Sequence, residues 1–296
     1  MYEPSHLAGW KLVTSAVHSK GGAIFSQLFH AGRVTHSSIT GPGGPVSASP
    51  TGISGLIRTP SGKQPYEVPA ELTLGQIKGV VADFRAAAER AVEAGFDGIE
   101  LHAGNGYLLQ SFLAQKTNTR DDDYGGASVE NRARLVLEIV DACVDAIGAD
   151  RGVTFSDLVE PEDDALAQLD YLGPQLAQRQ LAYVCLSSLN GDPYYKFAGL
   201  PEPNFKVDPF KYFRERYSGV LAVNGGLQPQ QTAAYVADGT ANFAFFGVLY
   251  VANANLPELI KASAPLNYGG ADASTWYGGS PDDDAKNFTD WPLTAP

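Results

Sequence analysis

The chain has 296 residues, 44% of them hydrophobic, so it can bury a large core either as one α/β barrel or as two smaller domains. A formal net charge of −12, with no basic run anywhere, argues against a nucleic-acid or anionic-membrane partner and leaves a small molecule as the expected ligand. Its two cysteines, Cys143 and Cys185, are too few for a disulfide framework or a thiolate metal site; with no leader-like N-terminal segment and no apolar run of bilayer length, a cytoplasmic location is expected.

Along the chain, strand-period and helix-period segments alternate. Ala23–Phe29 reads as a strand, and the Ser-, Thr-, Gly- and Pro-rich stretch 34–72 as an elaborated loop after it. Thr73-Leu74-Gly75-Gln76 has the form of a capping box. Ile77, Val80, Val81, Phe84, Ala88, Ala91 and Val92 then recur at helical spacing until Gly95 stops the helix. Gly95–His102 is the next strand, followed by the apolar helical set Leu108, Leu109, Phe112 and Leu113. Another helix starts at Ser128, carries Leu135, Val136, Ile139, Val140, Cys143 and Ile147, and ends at Gly148. Gly152–Ser156, Tyr183–Ser187, Val220–Asn224 and Phe243–Val251 are the remaining strand candidates, with a second loop at 190–209 and an irregular tail at 264–296. This βα succession of about six strands predicts a single α/β domain over 1–296.

The chemistry concentrates in L-H-A-G-N-G-Y-L-L at 101–109, where a strand turns into a helix. His102, Asn105 and Tyr107 bring two neutral donors and a phenol to one small volume, the place where α/β enzymes keep their active sites. Taken alone, Asn105-Gly106 is also an ordinary turn dipeptide and His102 an ordinary strand-end residue. His30 and His36 have no carboxylate or cysteine at metal spacing, so no metal site is expected. The acidic runs Asp121–Asp123 and Asp282–Asp284 read as solvated loops, because neither has calcium-loop spacing.

Several motifs occur in order and nearly end to end: Q-L-F-H-A-G-R at 27–33, P-A-E-L-T at 69–73, A-G-F-D-G-I-E-L-H-A-G-N-G-Y-L-L at 94–109, D-D-Y-G-G-A-S-V-E-N-R-A-R at 122–134, and the closing S-T-W-Y and N-F-T-D-W-P. Together they resemble the old yellow enzymes, fungal members most closely. The resemblance implies a TIM-type (β/α)8 barrel that holds FMN at its mouth and reduces activated alkenes with NADPH as reductant. It also implies roles. Gln27 matches the side chain that bonds the flavin pyrimidine, His102 and Asn105 the pair that grips the substrate carbonyl, and Tyr107 the proton donor. Phe29 and Tyr277 match pocket-lining positions; Gly225 and Gly226 match the turn that cradles the phosphate, with Gly247 in the last strand. Gln27 also reads as a satisfied polar residue inside a barrel, and Gly225-Gly226 as a tight strand-end turn. Two donors on a carbonyl oxygen would stabilise enolate-like charge, and the phenol, a weak acid, would return a proton to the α-carbon.

The departures carry equal weight. Where the family has an Arg in an R-x-S-P setting, this chain has Thr154-Phe155-Ser156-Asp157, and where the family has a Gly-Arg pair it has Gly247-Val248. Charge-assisted hydrogen bonds contribute roughly 1.5–3 kcal/mol each, so losing two weakens FMN about a hundred-fold to ten-thousand-fold. Met1 aligns with the family's second helix, which leaves the first two strands without counterparts. Six strands of an eight-strand design expose ladder edges at Ala23–Phe29 and Phe243–Val251, and a homo-oligomer is one way to cover them. The leading expectation is a flavin-dependent ene-reductase. The alternatives are a flavin-independent isomerase or cyclase acting on an enone with the same trio, and a non-catalytic remnant.

Overall fold

A computed structural model describes residues 4–149, 153–156, 162–187, 206–269 and 290–293. The chain divides into two compact units, Met1–Leu186 with Lys211–Leu221, and Ser187–Phe210 with Ala222–Pro296.

The first unit opens with α1 (Pro4–His18) and β1 (Phe25–Leu28). The stretch expected as loop at 34–72 carries small elements of its own: α2 (Ser37–Thr40), β2 (Val46–Ser47), β3 (Leu56–Thr59), β4 (Gly62–Pro65) and β5 (Ala70–Glu71). β3 and β4 form an antiparallel hairpin, while β2 and β5 pair in parallel. Strands of two to four residues are too short for a period-2 pattern to stand out against a polar background, which is why composition alone reads this segment as loop.

α3 (Leu74–Glu93) begins at the expected capping box. Thr73 Oγ1 accepts from the Gln76 amide at 3.3 Å and the Thr73 amide donates to Gln76 Oε1 at 2.9 Å. Its buried stripe is Ile77, Val80, Phe84, Ala88 and Ala91, and it packs against the helix α5 described below. β6 (Gly98–His102) follows, then α4 (Leu108–Leu113), all six of whose residues are buried. α5 (Val129–Ile147) starts where Ser128 Oγ accepts from the Asn131 amide and stops at Gly148, whose φ of +83° suits glycine. β7 (Val153–Ser156), α6 (Glu162–Ala177) and β8 (Tyr183–Ser187) complete the βα succession of this unit.

β1, β6, β7 and β8 pair in parallel in chain order. The register sets Gln27 beside Glu100, Glu100 beside Thr154, and Thr154 beside Tyr183, so these four positions form one rung. Ile99 and Leu101 are fully buried, which leaves Glu100 and His102 together on the other face of β6.

In the second unit, α7 (Pro209–Arg214) is shared with the first, and β9 (Leu221–Asn224) leads to α8 (Pro229–Ala237), which has proline at its first turn. β10 is only Phe243–Ala244, paired in parallel with β9. The expected strand Phe243–Val251 is thereby corrected: Gly247 interrupts it, and Val248–Val251 is a one-turn helix, α9, followed by α10 (Leu256–Lys261). A short apolar run satisfies strand and buried helix alike, and the glycine is the punctuation that decides. Asn253, buried, ties the start of the tail down by donating to the Leu249 and Asn267 carbonyls and accepting from the Asn267 amide. Most of loop 190–209 and of the tail beyond 269 lies outside the described residues. Among the described residues no helix is long and apolar enough to cross a membrane.

In the acidic run Asp121–Asp123, Asp121 and Asp123 are exposed loop residues as expected, while Asp122 pairs with a buried arginine. Arg120, its side chain 3% exposed, donates to the Ala48 and Leu72 carbonyls at 3.0 and 2.7 Å and to the Asp122 carboxylate at 2.6 Å. That pairing holds the Asp122 carboxyl below its ordinary range and raises the guanidinium. Arg132, equally buried, donates to Leu113, Gly126 and Ala127 carbonyls and to Asp164 at 2.6 Å, clasping the end of α4. Asp282–Asp284 lies outside the described residues. An Arg120→Met variant strands two carbonyls and should lose roughly 3 kcal/mol, read as a lower urea midpoint at unchanged slope. An Asp123→Asn control, at an exposed position, should change little.

Candidate active site

The turn after β6 explains why these residue types stand where they do. Asn105 has φ +54° and Gly106 +79°, two consecutive left-handed residues of which asparagine and glycine are the tolerant types. The turn reverses the chain so that Tyr107 becomes the N-cap of α4, with Ser111 donating back to the Tyr107 carbonyl and the buried Gln110 side chain accepting from the Gly106 amide.

The loop after β1 packs against this turn. The Leu108 amide donates to the His30 carbonyl at 3.0 Å, and a Cβ added to Gly32 would fall 2.7 Å from the Leu108 nitrogen. Only glycine permits that approach. The contact fixes Phe29 beside the turn, where its ring meets Tyr107 with centroids 5.2 Å apart. Tyr107 also meets His102 edge-on at 5.3 Å, and His102 Nε2 lies 3.3 Å from Asn105 Nδ2. His102, Asn105, Tyr107 and Phe29 are therefore one cluster.

Gln27 lies on the rung beside it. Its Nε2 donates to Glu100 Oε1 at 2.5 Å, and the Tyr183 hydroxyl donates to Glu100 Oε2 at 3.3 Å. Reading the sequence singled out neither Glu100 nor Tyr183. Glu100 was findable from its two-residue spacing to His102, whereas Tyr183 becomes a partner only once the strand register is known.

In the second unit, Gly225 and Gly226 adopt φ +110° and +68° just after β9. Gly247 is not in a strand, as expected, but is the N-cap of α9 with φ −94°, because the last strand ends early. Tyr277 lies outside the described residues. Thr154 and Val248, at the positions where arginines were expected from the resemblance, fall in β7 and at the first residue of α9. Among the described residues no cluster of His, Cys, Asp or Glu is arranged to hold a metal.

A profile of the NADH:flavin oxidoreductase / NADH oxidase family matches residues 1–267. The chain belongs to that family. It is 36% identical over 288 residues to a Leishmania infantum protein named "Probable flavin mononucleotide-dependent alkene reductase", a match covering 94% of this chain and 75% of the relative. Among solved structures, the old yellow enzyme homologue from Zymomonas mobilis is similar with TM-score 0.85 and 30% identity, over 99% of this chain and 80% of that one. Morphinone reductase in complex with tetrahydroNAD is similar with TM-score 0.83 and 36% identity, over 99% and 79%. The old yellow enzyme resemblance is thus borne out, and the fold is α/β of the TIM-barrel type.

Membership of the NADH:flavin oxidoreductase family makes FMN the cofactor against which the site is judged. The first unit's donor set fits a flavin ring. With Nε2 engaged by Glu100, Gln27 has its amide oxygen left as an acceptor suited to an imide N–H, and the neighbouring donors are neutral. In the second unit, consecutive left-handed glycines make a turn without side-chain bulk, which suits a phosphate and a simple strand-end turn equally.

Burial holds His102 below its ordinary value of 6.5, with the Glu100 charge pulling partly the other way. His30 is lowered by burial too, against an opposing pull from Asp83. For a histidine depressed in the folded state, the unfolded chain takes up its proton first as pH falls. The stability it contributes is present above about 6.5 and is lost as pH drops through that value towards the lower folded one. The melting temperature should fall between about pH 7 and about pH 5. His102→Gln should show a shallower fall, and equal slopes would assign the charge change elsewhere.

Proposed function

We propose that this chain is an old yellow enzyme-type oxidoreductase that reduces an activated alkene, an enone or enal, with FMN as cofactor and NADPH as reductant. One observation carries the reading: His102 Nε2 and Asn105 Nδ2 lie 3.3 Å apart at the strand end, with Tyr107 against the imidazole. Two nitrogens at that separation can both reach one oxygen at ordinary hydrogen-bond length, about 2.9 Å. In this reading they hold the substrate carbonyl and stabilise the charge that builds on it, while Tyr107 gives its proton to the α-carbon. FMN, when bound, supplies the hydride. Gln27 would meet the flavin pyrimidine edge, Gly225, Gly226 and Gly247 would lie along the phosphate, and Phe29 and Tyr277 would line the substrate pocket.

The same reading takes residues 1–296 as one barrel domain, supported by a family match that spans both units. It also places the family's first two strands outside the matched part, supported by the 75–80% of each relative's length that is covered. Two free, buried cysteines agree with a reducing, cytoplasmic setting. The exposed Trp10, Leu12 and Val13 of α1 agree with a homo-oligomer, which light scattering would test. A second reading, a flavin-independent isomerase or cyclase using the same trio, draws support from the absence of any described cation against Glu100.

The absorbance spectrum of the purified protein, with and without added FMN, separates the two: a flavin band supports the first, and a folded protein that ignores FMN supports the second. In either case His102→Ala and Asn105→Gly, the latter keeping the left-handed turn, should each weaken binding of a para-substituted phenol about five- to ten-fold by calorimetry. Unchanged titrations for both variants would remove the pair from the site.

A further inference from the structure

The rung of Gln27, Glu100 and Tyr183 has no part in the chemistry assigned to His102, Asn105 and Tyr107. Glu100 nevertheless sits on their face of β6, two residues before His102. Both of its oxygens are engaged, one by the Gln27 amide at 2.5 Å and one by the Tyr183 hydroxyl at 3.3 Å, and both partners are neutral. Among the described residues no Lys or Arg forms an ion pair with it. His102, buried two residues on, feels the Glu100 charge, which pulls its titration upward against the effect of burial.

A carboxylate only accepts, so the Gln27 amide must turn its NH2 towards Glu100, and its carbonyl oxygen is then the atom left for a ligand. This edge therefore offers an acceptor with a fixed negative charge one amide behind it. A ring edge that carries an N–H and no charge is favoured there; a ring edge that carries negative charge is disfavoured. The oxidised flavin ring is the first kind, a neutral imide. The two-electron reduced ring, anionic at neutral pH with its charge on the pyrimidine side, is the second.

We propose that Glu100, acting through Gln27, is a specificity-determining residue that makes this chain hold the neutral oxidised flavin ring in preference to the anionic reduced one. The inference rests on the flavin reading above. Glu100 is a positioning residue: it orients the amide and sets the charge behind it.

The test compares wild type with two variants that neutralise the carboxylate by different routes. Glu100→Gln removes the charge, and Thr154→Arg places a cation at the neighbouring position of the same rung. Tyr183→Phe, which strips one donor from the carboxylate, serves as the opposite control. FMN dissociation constants come from fluorescence titration and midpoint potentials from spectroelectrochemistry. Both neutralised variants should favour reduced over oxidised FMN at least ten-fold more than wild type, a rise of about 30 mV for a two-electron couple. Tyr183→Phe should shift the potential down or leave it unmoved. Oxidised FMN taken up by a neutralised variant and refused by wild type overturns the proposal, because the carboxylate would then work against the oxidised ring itself, and if Glu100→Gln fails to fold, Thr154→Arg alone decides. Equal potentials in wild type and the folded neutralised variants, all with FMN bound, overturn the role of Glu100 and leave the flavin reading intact. FMN refused by every protein overturns the flavin reading itself.

Discussion

The parallel register between β1 and β6 is the constraint on which the site depends. It sets Gln27 against Glu100, and by alternation it turns His102 to the same face. A slip of one residue would exchange this polar set for Ile99 and Leu101, which are fully buried on the other side. The register is held from both ends. The Leu108 amide bonds the His30 carbonyl beyond β1, and the Asp97 carboxylate, before β6, accepts from the Ile24 amide and contacts His18 at the end of α1. The amide and the histidine hold the Asp97 carboxyl below its ordinary range.

Electrostatically, the site is neutral donors beside one unneutralised acid. Burial disfavours the charged form of His102, Asn105 has no charge to lose, and among the described residues the hydrogen-bond partners of Glu100 are neutral donors. A site built in this way can hold a carbonyl oxygen without carrying a permanent positive charge, so the stabilisation it offers grows as charge develops on that oxygen. The Glu100 carboxylate stands directly behind the Gln27 amide, and the sign of its charge bears on any ring that docks against Gln27.

Two buried arginines do structural work next to this chemistry. Arg120 and Arg132 satisfy carbonyls at 48, 72, 113, 126 and 127 that no strand or helix ladder reaches. Such irregular backbone can be buried only when its polar groups are satisfied in this way. Arg132 is the clasp that fixes the end of α4, the helix whose first residue follows Tyr107.

Much of this was legible in the sequence because it is local. The capping box at Thr73, the helix stops at Gly95 and Gly148, the apolar stripe of α3 and the strand-to-helix turn carrying His102, Asn105 and Tyr107 all follow from spacing and residue type within a few positions. The expected family follows from the same ordered motifs. What lay beyond the sequence is non-local: Gln27 bonds a residue 73 positions away and Tyr183 one 83 positions away, so neither partner can be named before the strands are in register. The end of β10 at Ala244 and the ordered pairs within 34–72 escaped as well, since runs of two to four residues have no period to read. Local propensity determined which residues turn, cap and alternate; only tertiary pairing decided which charge stands behind Gln27, because hydrogen bonds across strands are set by register and not by proximity along the chain.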